Sequence, residues 1–355
     1  MVDFSGIGLQ IFNWYELNRR DLPWRRTKDP YKIWISEIVL QQTRIIQGID
    51  YYRKIIEAFP TVYDMANADS ELIMKLWQGL GYYSRARNMH FASKQIAFEL
   101  NGQFPDNYIK ILKLKGVGKY TAAAIASISF EEKVPVVDGN VYRLLARYFG
   151  VFTQIGSNKA YSEFFDFAYK LLANHDPAII NQGMMELGAV VCLPQNPNCD
   201  VCPISAKCFA RLNNCIGELP VKGKQVKVRN RYLNYLVLES DTKIMVKKRD
   251  ENDIWKELYD FPLIETDNEI DVEELLQLSE IIKMEELNEQ NFVSSSKSYF
   301  HKLTHQNIYA KFFRFDVNKF PNLNNCKVEY LTEIHKLAVP RLIDKYLNHE
   351  FDFQK

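Results

Sequence analysis

The side chains of this chain most capable of chemistry are an acid inside an apolar run, a second acid at the head of a helix, and a knot of four cysteines. Glu37 interrupts Trp34-Ile35-Ser36-Glu37-Ile38-Val39-Leu40-Gln41-Gln42-Thr43, a mostly apolar run of helical character. Such a residue is either a buried functional acid or a polar side chain on the wet face of its helix. Burial beside Ile, Trp and Val raises a carboxyl pKa, because apolar surroundings disfavour the charged form, and a general acid working near neutral pH needs that rise. Asp138 opens the helical stretch after Val134-Pro135-Val136-Val137, where aspartate commonly caps a helix, a role that can coexist with a chemical one. The two acids are 101 positions apart, so only the fold can bring them together.

Cys192, Cys199, Cys202 and Cys208 have the spacing C-x6-C-x2-C-x5-C, which lets one compact loop wrap four thiolates around one centre. Their crowding, with Cys215 and Cys326 standing apart, suits a metal site in a reducing compartment better than a disulfide framework. Zinc accepts four thiolates as well, although its usual framework is two separated C-x-x-C pairs. Pro194, Pro197, Lys207 and Arg211 make the loop rigid and basic, able to meet phosphate. A further feature is Leu114-Lys115-Gly116-Val117-Gly118-Lys119-Tyr120, between helical 108–114 and helical 121–129. Two glycines two apart let the backbone turn tightly and expose amide N–H groups at a helix start, a cradle for phosphate. A plain turn between packed helices is the alternative.

These residues need a scaffold, and the chain is long enough for two cores. From Trp34 to about Leu212 the apolar residues recur at helical spacing, as in Leu72, Leu76 and Leu80, which predicts an all-helical domain. Residues 217–229, basic and without amphipathic period, read as a linker. Alternating runs at 232–239 and 244–249 predict a hairpin, residues 265–289 an acidic helical region, and 307–316 a strand, giving a smaller α+β domain. Up to Arg229 there are 28 basic against 21 acidic side chains, and from Asn230 onward 17 against 23, so a polyanion partner is favoured for the first part, although ordinary surface charge would also account for it. The first residues lack the basic-then-apolar order of a signal peptide and no window reaches a membrane span, so a soluble, cytoplasmic protein without membrane partner is expected.

Taken together, Leu22-Pro23-Trp24-Arg25, the Ser36–Thr43 run, Gly79-Leu80-Gly81-Tyr82-Tyr83-Ser84-Arg85-Ala86-Arg87-Asn88, the double-glycine turn, Val137-Asp138-Gly139-Asn140-Val141-Tyr142-Arg143 and the four cysteines closely resemble the MutY family of adenine DNA glycosylases, within the helix-hairpin-helix superfamily that includes endonuclease III. The resemblance covers nearly the whole chain. It implies a multidomain protein: an all-α helix-hairpin-helix glycosylase domain over 1–216, its six-helix part at about 25–130 and its iron-sulfur part at about 1–24 and 131–216, then the linker and a Nudix-like recognition domain over 230–350. It implies one [4Fe-4S] cluster on Cys192, Cys199, Cys202 and Cys208, and a monomer acting on duplex DNA with adenine opposite 8-oxoguanine or guanine. Glu37 would protonate the departing adenine and assist water, while Asp138 would stabilise positive charge on the sugar, a division that needs carboxylates in different environments. Tyr120 would lie beside base and sugar, and Trp24, Arg25 and Gln182 would line the adenine pocket.

Base flipping also needs a filler for the vacated stack and a grip on the duplex. The resemblance gives Gln42 and Tyr82 as wedges, Arg85 and Arg87 as phosphate contacts, and Gly116, Gly118 and Lys119 as the hairpin's share of DNA binding; core tyrosines and a solvated arginine face are the plainer readings. Relatives that also cut the backbone carry a Schiff-base lysine two residues after the second hairpin glycine, where this chain has Tyr120, so no obligatory lyase step is expected. Beyond Trp255-Lys256-Glu257-Leu258-Tyr259-Asp260-Phe261-Pro262 there is no R-E-x-x-E-E metal box, so the second domain is expected to bind, not hydrolyse. Thr304 and His305 would read 8-oxoguanine, in a loop that is Leu303-Thr304-His305 where many relatives have Phe-Ser-His. Surface histidines beside a strand are the plainer reading of His301 and His305. Two rival functions are a lyase acting on oxidised pyrimidines, disfavoured by Tyr120, and a noncatalytic iron-sulfur DNA sensor, which leaves Glu37 and Asp138 without purpose.

Overall fold

The computed structural model describes residues 2–172, 174–223, 228–250 and 253–351; four residues of the expected linker, 224–227, lie outside these. The chain divides into two compact units, 1–67 with 88–224, and 68–87 with 225–355. In chain order the α-helices are α1 (Phe4–Asn18), α2 (Pro30–Leu40), α3 (Ile45–Ala58), α4 (Val62–Asn67), α5 (Ser70–Leu76), α6 (Ser84–Lys94), α7 (Tyr108–Ile111), α8 (Lys119–Phe130), α9 (Gly139–Phe149), α10 (Asn158–Leu172), α11 (Pro177–Val190), α12 (Phe209–Leu212), α13 (Val272–Leu276), α14 (Ser279–Ile282) and α15 (Arg341–Glu350).

In the first unit α2 begins where Asp29 accepts the Tyr31 N–H and Pro30 presets the first turn. Residues 33–39 of α2 are all buried, the mark of a helix enclosed on every side. Its neighbour α8, Lys-Tyr-Thr-Ala-Ala-Ala-Ile-Ala-Ser-Ile-Ser-Phe, has buried side chains from Thr121 to Ser127, all small except Ile125, that let α2 and α11 approach closely. The turn into α8 works as its glycines demand: Gly116 has φ +76°, and a Cβ there would stand 2.5 Å from the Asn88 Cβ. Helices α1, α9, α10 and α11 close a second core around Ile11, Leu144, Phe164 and Leu187, with the cysteine loop packed on it.

The second unit is built on an eight-stranded sheet: β1 (Arg229–Ser240), β2 (Lys243–Lys248), β3 (Tyr259–Asp260), β4 (Leu263–Thr266), β5 (Phe292–Ser295), β6 (Tyr299–Lys302), β7 (Gln306–Asp316) and β8 (Cys326–Tyr330). The predicted hairpin is β1–β2 and the predicted late strand is β7, which pairs parallel with β1. On β1, Leu233, Tyr235 and Val237 face one core with α15, while Leu236 and Leu238 face the other with α13 and α14, the period-2 pattern of a central strand covered on both sides. The expected acidic helical region at 265–289 is shorter than anticipated: it starts as β4 and holds two helices of five and four residues. Of its apolar residues, Leu275, Ile281 and Leu287 are the ones buried there. Charge is buried too: Arg231 and Arg249 share Asp253, and Arg249 also meets the buried Asp260.

Candidate active site

Helices α2, α8, α9 and α11 present their side chains to one cavity of about 870 Å³ in the first unit, lined by Trp24, Arg25, Glu37, Tyr120, Asp138 and Gln182 among others. All six residues expected to act on base and sugar therefore converge. Glu37 is only 6% exposed, which decides between the two readings its sequence allowed. Burial pushes its carboxyl up to about 7; the hydrogen bond from the Tyr120 hydroxyl opposes the rise, Asp138 adds to it and Arg25 opposes it. Burial likewise raises Tyr120 well above the phenol range, so it stays a neutral donor.

Asp138 has a different environment. It caps α9, its Oδ1 accepting the backbone N–H groups of Asn140 (3.0 Å) and Val141 (2.8 Å), while Oδ2 accepts the Asn140 side chain at 2.8 Å. Burial raises its pKa, but these three hydrogen bonds and the nearby Arg143 guanidinium pull the other way. Asn140 in turn accepts Arg143 Nη2 at 2.8 Å, and Arg143 Nε donates to the Cys192 carbonyl at 2.7 Å. A continuous hydrogen-bonded path thus runs from Asp138 to the backbone of the first cysteine, one that residue spacing alone does not disclose.

The cavity also holds residues the sequence reading missed. Glu186, 1% exposed, receives Arg20 Nε and Nη2 at 2.6 and 2.7 Å and Arg25 Nη2 at 2.6 Å. Burial would raise its carboxyl, but the two guanidiniums prevail and hold it down at about 2. This ion pair fixes Arg25 against the pocket, and Gln182, one turn earlier on α11, accepts the Tyr15 hydroxyl at 3.0 Å. The signal available was the i, i+4 pair Gln182 and Glu186 in a helix whose one other polar side chain is Asn181.

Gln42 lies in an adjoining cleft with Tyr120 and Asp138, its backbone left-handed at φ +54°. Non-glycine residues rarely hold that conformation, and where they do they cluster at ligand-gripping sites. Gly118 and Lys119 are exposed at the start of α8, with the Lys119 ammonium 4.3 Å from the Tyr161 ring centre. The remaining DNA candidates belong to the second unit. Tyr82 is exposed and left-handed at φ +47°, and its hydroxyl is 2.7 Å from Thr304 Oγ1. Thr304 and His305 are exposed at the tip of the β6–β7 hairpin, whereas Leu303 packs on the sheet core. The guanidinium of Arg85 turns inward, donating to the carbonyls of Leu80 (3.3 Å) and Gly81 (3.1 Å) and lying over the Trp77 ring; burial draws its pKa down to about 10. Arg87 donates to the Lys256 carbonyl at 2.8 Å.

Cys192, Cys199, Cys202 and Cys208 are unbridged and line one small cavity beneath α9 and α11. Burial pushes the Cys202 thiol up to about 11, and the other three sulfurs reinforce the rise, so deprotonation of the set calls for a compensating positive charge. The buried Arg147 braces the loop, donating to the carbonyls of Leu193 (2.7 Å) and Pro194 (3.0 Å) and approaching Cys192 Sγ at 3.5 Å. The donor chemistry fits an iron-sulfur group held by four thiolates. Among the described residues no three His, Cys, Asp or Glu side chains converge as the ligands of a single ion would.

A double-glycine hairpin beside a deep cavity with a buried acid, followed by a Nudix-type domain, defines a base-excision DNA glycosylase. Residues 35–166 match the HhH-GPD superfamily of base excision DNA repair proteins, and residues 234–349 match the NUDIX domain. The chain is 32% identical over 342 residues to the adenine DNA glycosylase of Buchnera aphidicola subsp. Schizaphis graminum, a match covering 95% of this chain and 96% of that one. It is 40% identical over 210 residues to the adenine DNA glycosylase of Homo sapiens, covering 57% of this chain and 38% of that one. Among solved structures, a thermostable thymine-DNA glycosylase superposes with TM-score 0.55 at 30% identity, over 59% of this chain and 97% of the other. Endonuclease III in a trapped DNA complex has TM-score 0.51 at 20% identity, over 60% of this chain and 99% of the other, a likeness of fold. The chain belongs to the adenine DNA glycosylase family, the MutY family. No helix among the described residues is long and apolar enough to cross a membrane.

Proposed function

We propose that the protein removes adenine from duplex DNA where it faces 8-oxoguanine or guanine, acting as a monomer and without an obligatory lyase step. The observation that carries the proposal is the pairing of a buried acid with a pKa of about 7, Glu37, and a hydrogen-bonded carboxylate, Asp138, on one cavity. In this mechanism the Glu37 carboxyl gives its proton to N7 of the flipped adenine. The C1′–N9 bond then breaks, its electron pair leaves with the base, and positive charge develops on the sugar. Asp138, ionised and fixed by three hydrogen bonds, stabilises that charge; the Glu37 carboxylate then accepts a proton from the water that attacks C1′. Tyr120 holds Glu37 in place through its hydroxyl. Trp24, Arg25 and Gln182, with Glu186 behind Arg25, enclose the base.

Gln42 and Tyr82, both in left-handed backbone, are suited to fill the stack the adenine leaves. Gly116, Gly118 and Lys119 present the hairpin to phosphate, and Arg87 makes a further phosphate contact. Arg85, with its guanidinium on loop carbonyls, serves this role by shaping the Tyr82 loop. Thr304 and His305 read the opposite base; Leu303, partly buried against the sheet core, leaves the hydroxyl of Thr304 and the imidazole of His305 to supply the polar contacts. The four cysteines would hold one [4Fe-4S] cluster, which when bound ties their loop together as a structural cross-link. The protein as purified is then expected to contain about four irons per chain, and Cys199→Ser to lower iron content and thermal stability together; full iron content in Cys199→Ser would remove that residue from the ligand set.

Single-turnover release of free adenine, compared among duplexes with adenine opposite 8-oxoguanine, guanine and thymine, tests the whole proposal. Fast release opposite 8-oxoguanine, slower opposite guanine and almost none opposite thymine is the expected order, with no protein-DNA adduct on borohydride treatment. Equal rates opposite all three would remove the reader role from Thr304 and His305, and a trapped adduct would restore a lyase step.

A further inference from the structure

We propose that Lys75 and Gln78 are positioning residues that fasten the α5 segment to the Nudix-type unit, and that this attachment sets how strongly excision depends on the base opposite adenine. The proposal rests on the reading of that unit as the reader of the opposite base. Its starting point is an oddity of organisation: residues 68–87, flanked in sequence by helices of the first unit, group instead with 225–355.

The attachment is polar and saturated. Glu71 Oε1 accepts from Lys248 Nζ at 2.8 Å and from the Tyr259 hydroxyl at 2.7 Å. One turn on, Lys75 Nζ donates to the carbonyls of His335 (2.6 Å) and Leu337 (3.0 Å) and to Gln78 Oε1 (3.1 Å), which uses all three donors of an ammonium group. Gln78 completes the set: its Nε2 donates to Asp344 Oδ1 on α15 at 3.1 Å, and its Oε1 also accepts the Val339 N–H at 3.3 Å. Between them, Trp77 Nε1 donates to the Gly81 carbonyl at 3.1 Å, and beyond Gln78 the chain enters the left-handed turn at Tyr82, whose hydroxyl meets Thr304. A strained residue keeps its conformation only when its surroundings over-determine it. Here the surroundings of the wedge are anchored at one end by Lys75 and Gln78 and at the other by Thr304, all in the unit that reads the opposite base. Neither Lys75 nor Gln78 lines the cavity of Glu37 and Asp138. Their loss should therefore change discrimination more than chemistry.

The test uses the full-length protein and the double variant Lys75→Met with Gln78→Leu, read in two ways. Loss of charge-assisted hydrogen bonds to a segment is expected to lower the ratio of single-turnover rates, 8-oxoguanine over guanine, roughly tenfold, with the rate opposite guanine changed much less. Amide hydrogen exchange at 79–83 should speed up while that of α8 does not change, and Lys75→Arg, which keeps the charge, should recover most of the ratio. An unchanged ratio in the double variant overturns the specificity role, whether or not exchange speeds up; unchanged exchange overturns the anchoring itself. If the wild-type protein shows no preference for 8-oxoguanine, the reader function has failed instead, and the exchange measurement still decides whether Lys75 and Gln78 anchor the turn. Should the double variant not fold, Gln78→Leu alone is measured against the same two readouts.

Discussion

Glu37→Gln is expected to lower single-turnover adenine release by roughly a thousandfold or more and, at the same time, to stabilise the protein above neutral pH. Glutamine keeps the shape of the side chain and can still accept the Tyr120 hydroxyl, but it has no proton to give to a leaving base. The gain in stability follows from the raised pKa. Glu37 titrates at about 7 in the folded chain against an ordinary 4.5, so between those values the folded state holds a proton that the unfolded state has lost. Stability therefore falls as pH rises through that window, and the loss persists above it. Removing the carboxyl recovers on the order of 3 kcal/mol at most at pH values above the window, and almost nothing below about 4.5. Thermal unfolding of both proteins on either side of the window checks this. A Glu37→Gln variant no more stable than wild type at alkaline pH would mean that the carboxyl is not held in the apolar environment described.

Asp138→Asn separates charge from capping. Asparagine retains the oxygen that accepts the N–H groups of Asn140 and Val141 and is as good an N-cap, so α9 should stay in place. What disappears is the negative charge beside the developing cation, and loss of one such preorganised electrostatic contact costs roughly a hundredfold to a thousandfold in rate. DNA affinity should change little. Asp138 also helps raise Glu37, so its neutral replacement should move the Glu37 titration toward acid. Rates within a few fold of wild type would take Asp138 out of the chemistry and leave it as a cap.

How far these features could be read in advance depends on whether they are local. The β1–β2 hairpin, β7, the N-cap at Asp138 and the double-glycine turn are short-range patterns, and each is where its residues suggested. Glu37 was ambiguous because a lone acid in an apolar run has two faces open to it; the burial of every residue from Ile33 to Val39 removes the wet one. Glu186 is not legible in the sequence because its partners, Arg20 and Arg25, are more than 160 positions away. The resemblance that gives Arg85 as a phosphate contact does not disclose that its guanidinium lies over the Trp77 ring and on the carbonyls of Leu80 and Gly81. The grouping of 68–87 with the second unit was hidden for a related reason: its helical period says that a face is buried, not against what.

The claim on which the account turns is that a proton held by Glu37 drives adenine departure, and the pH dependence of single-turnover release from a duplex with adenine opposite 8-oxoguanine tests it most directly. A group that must be protonated and titrates at about 7 predicts a plateau on the acid side and, above about pH 7, a rate constant falling tenfold per pH unit, a limb that vanishes in Glu37→Gln. A wild-type rate constant that stays level from about pH 6 to about pH 9, or the same falling limb in Glu37→Gln, would contradict it.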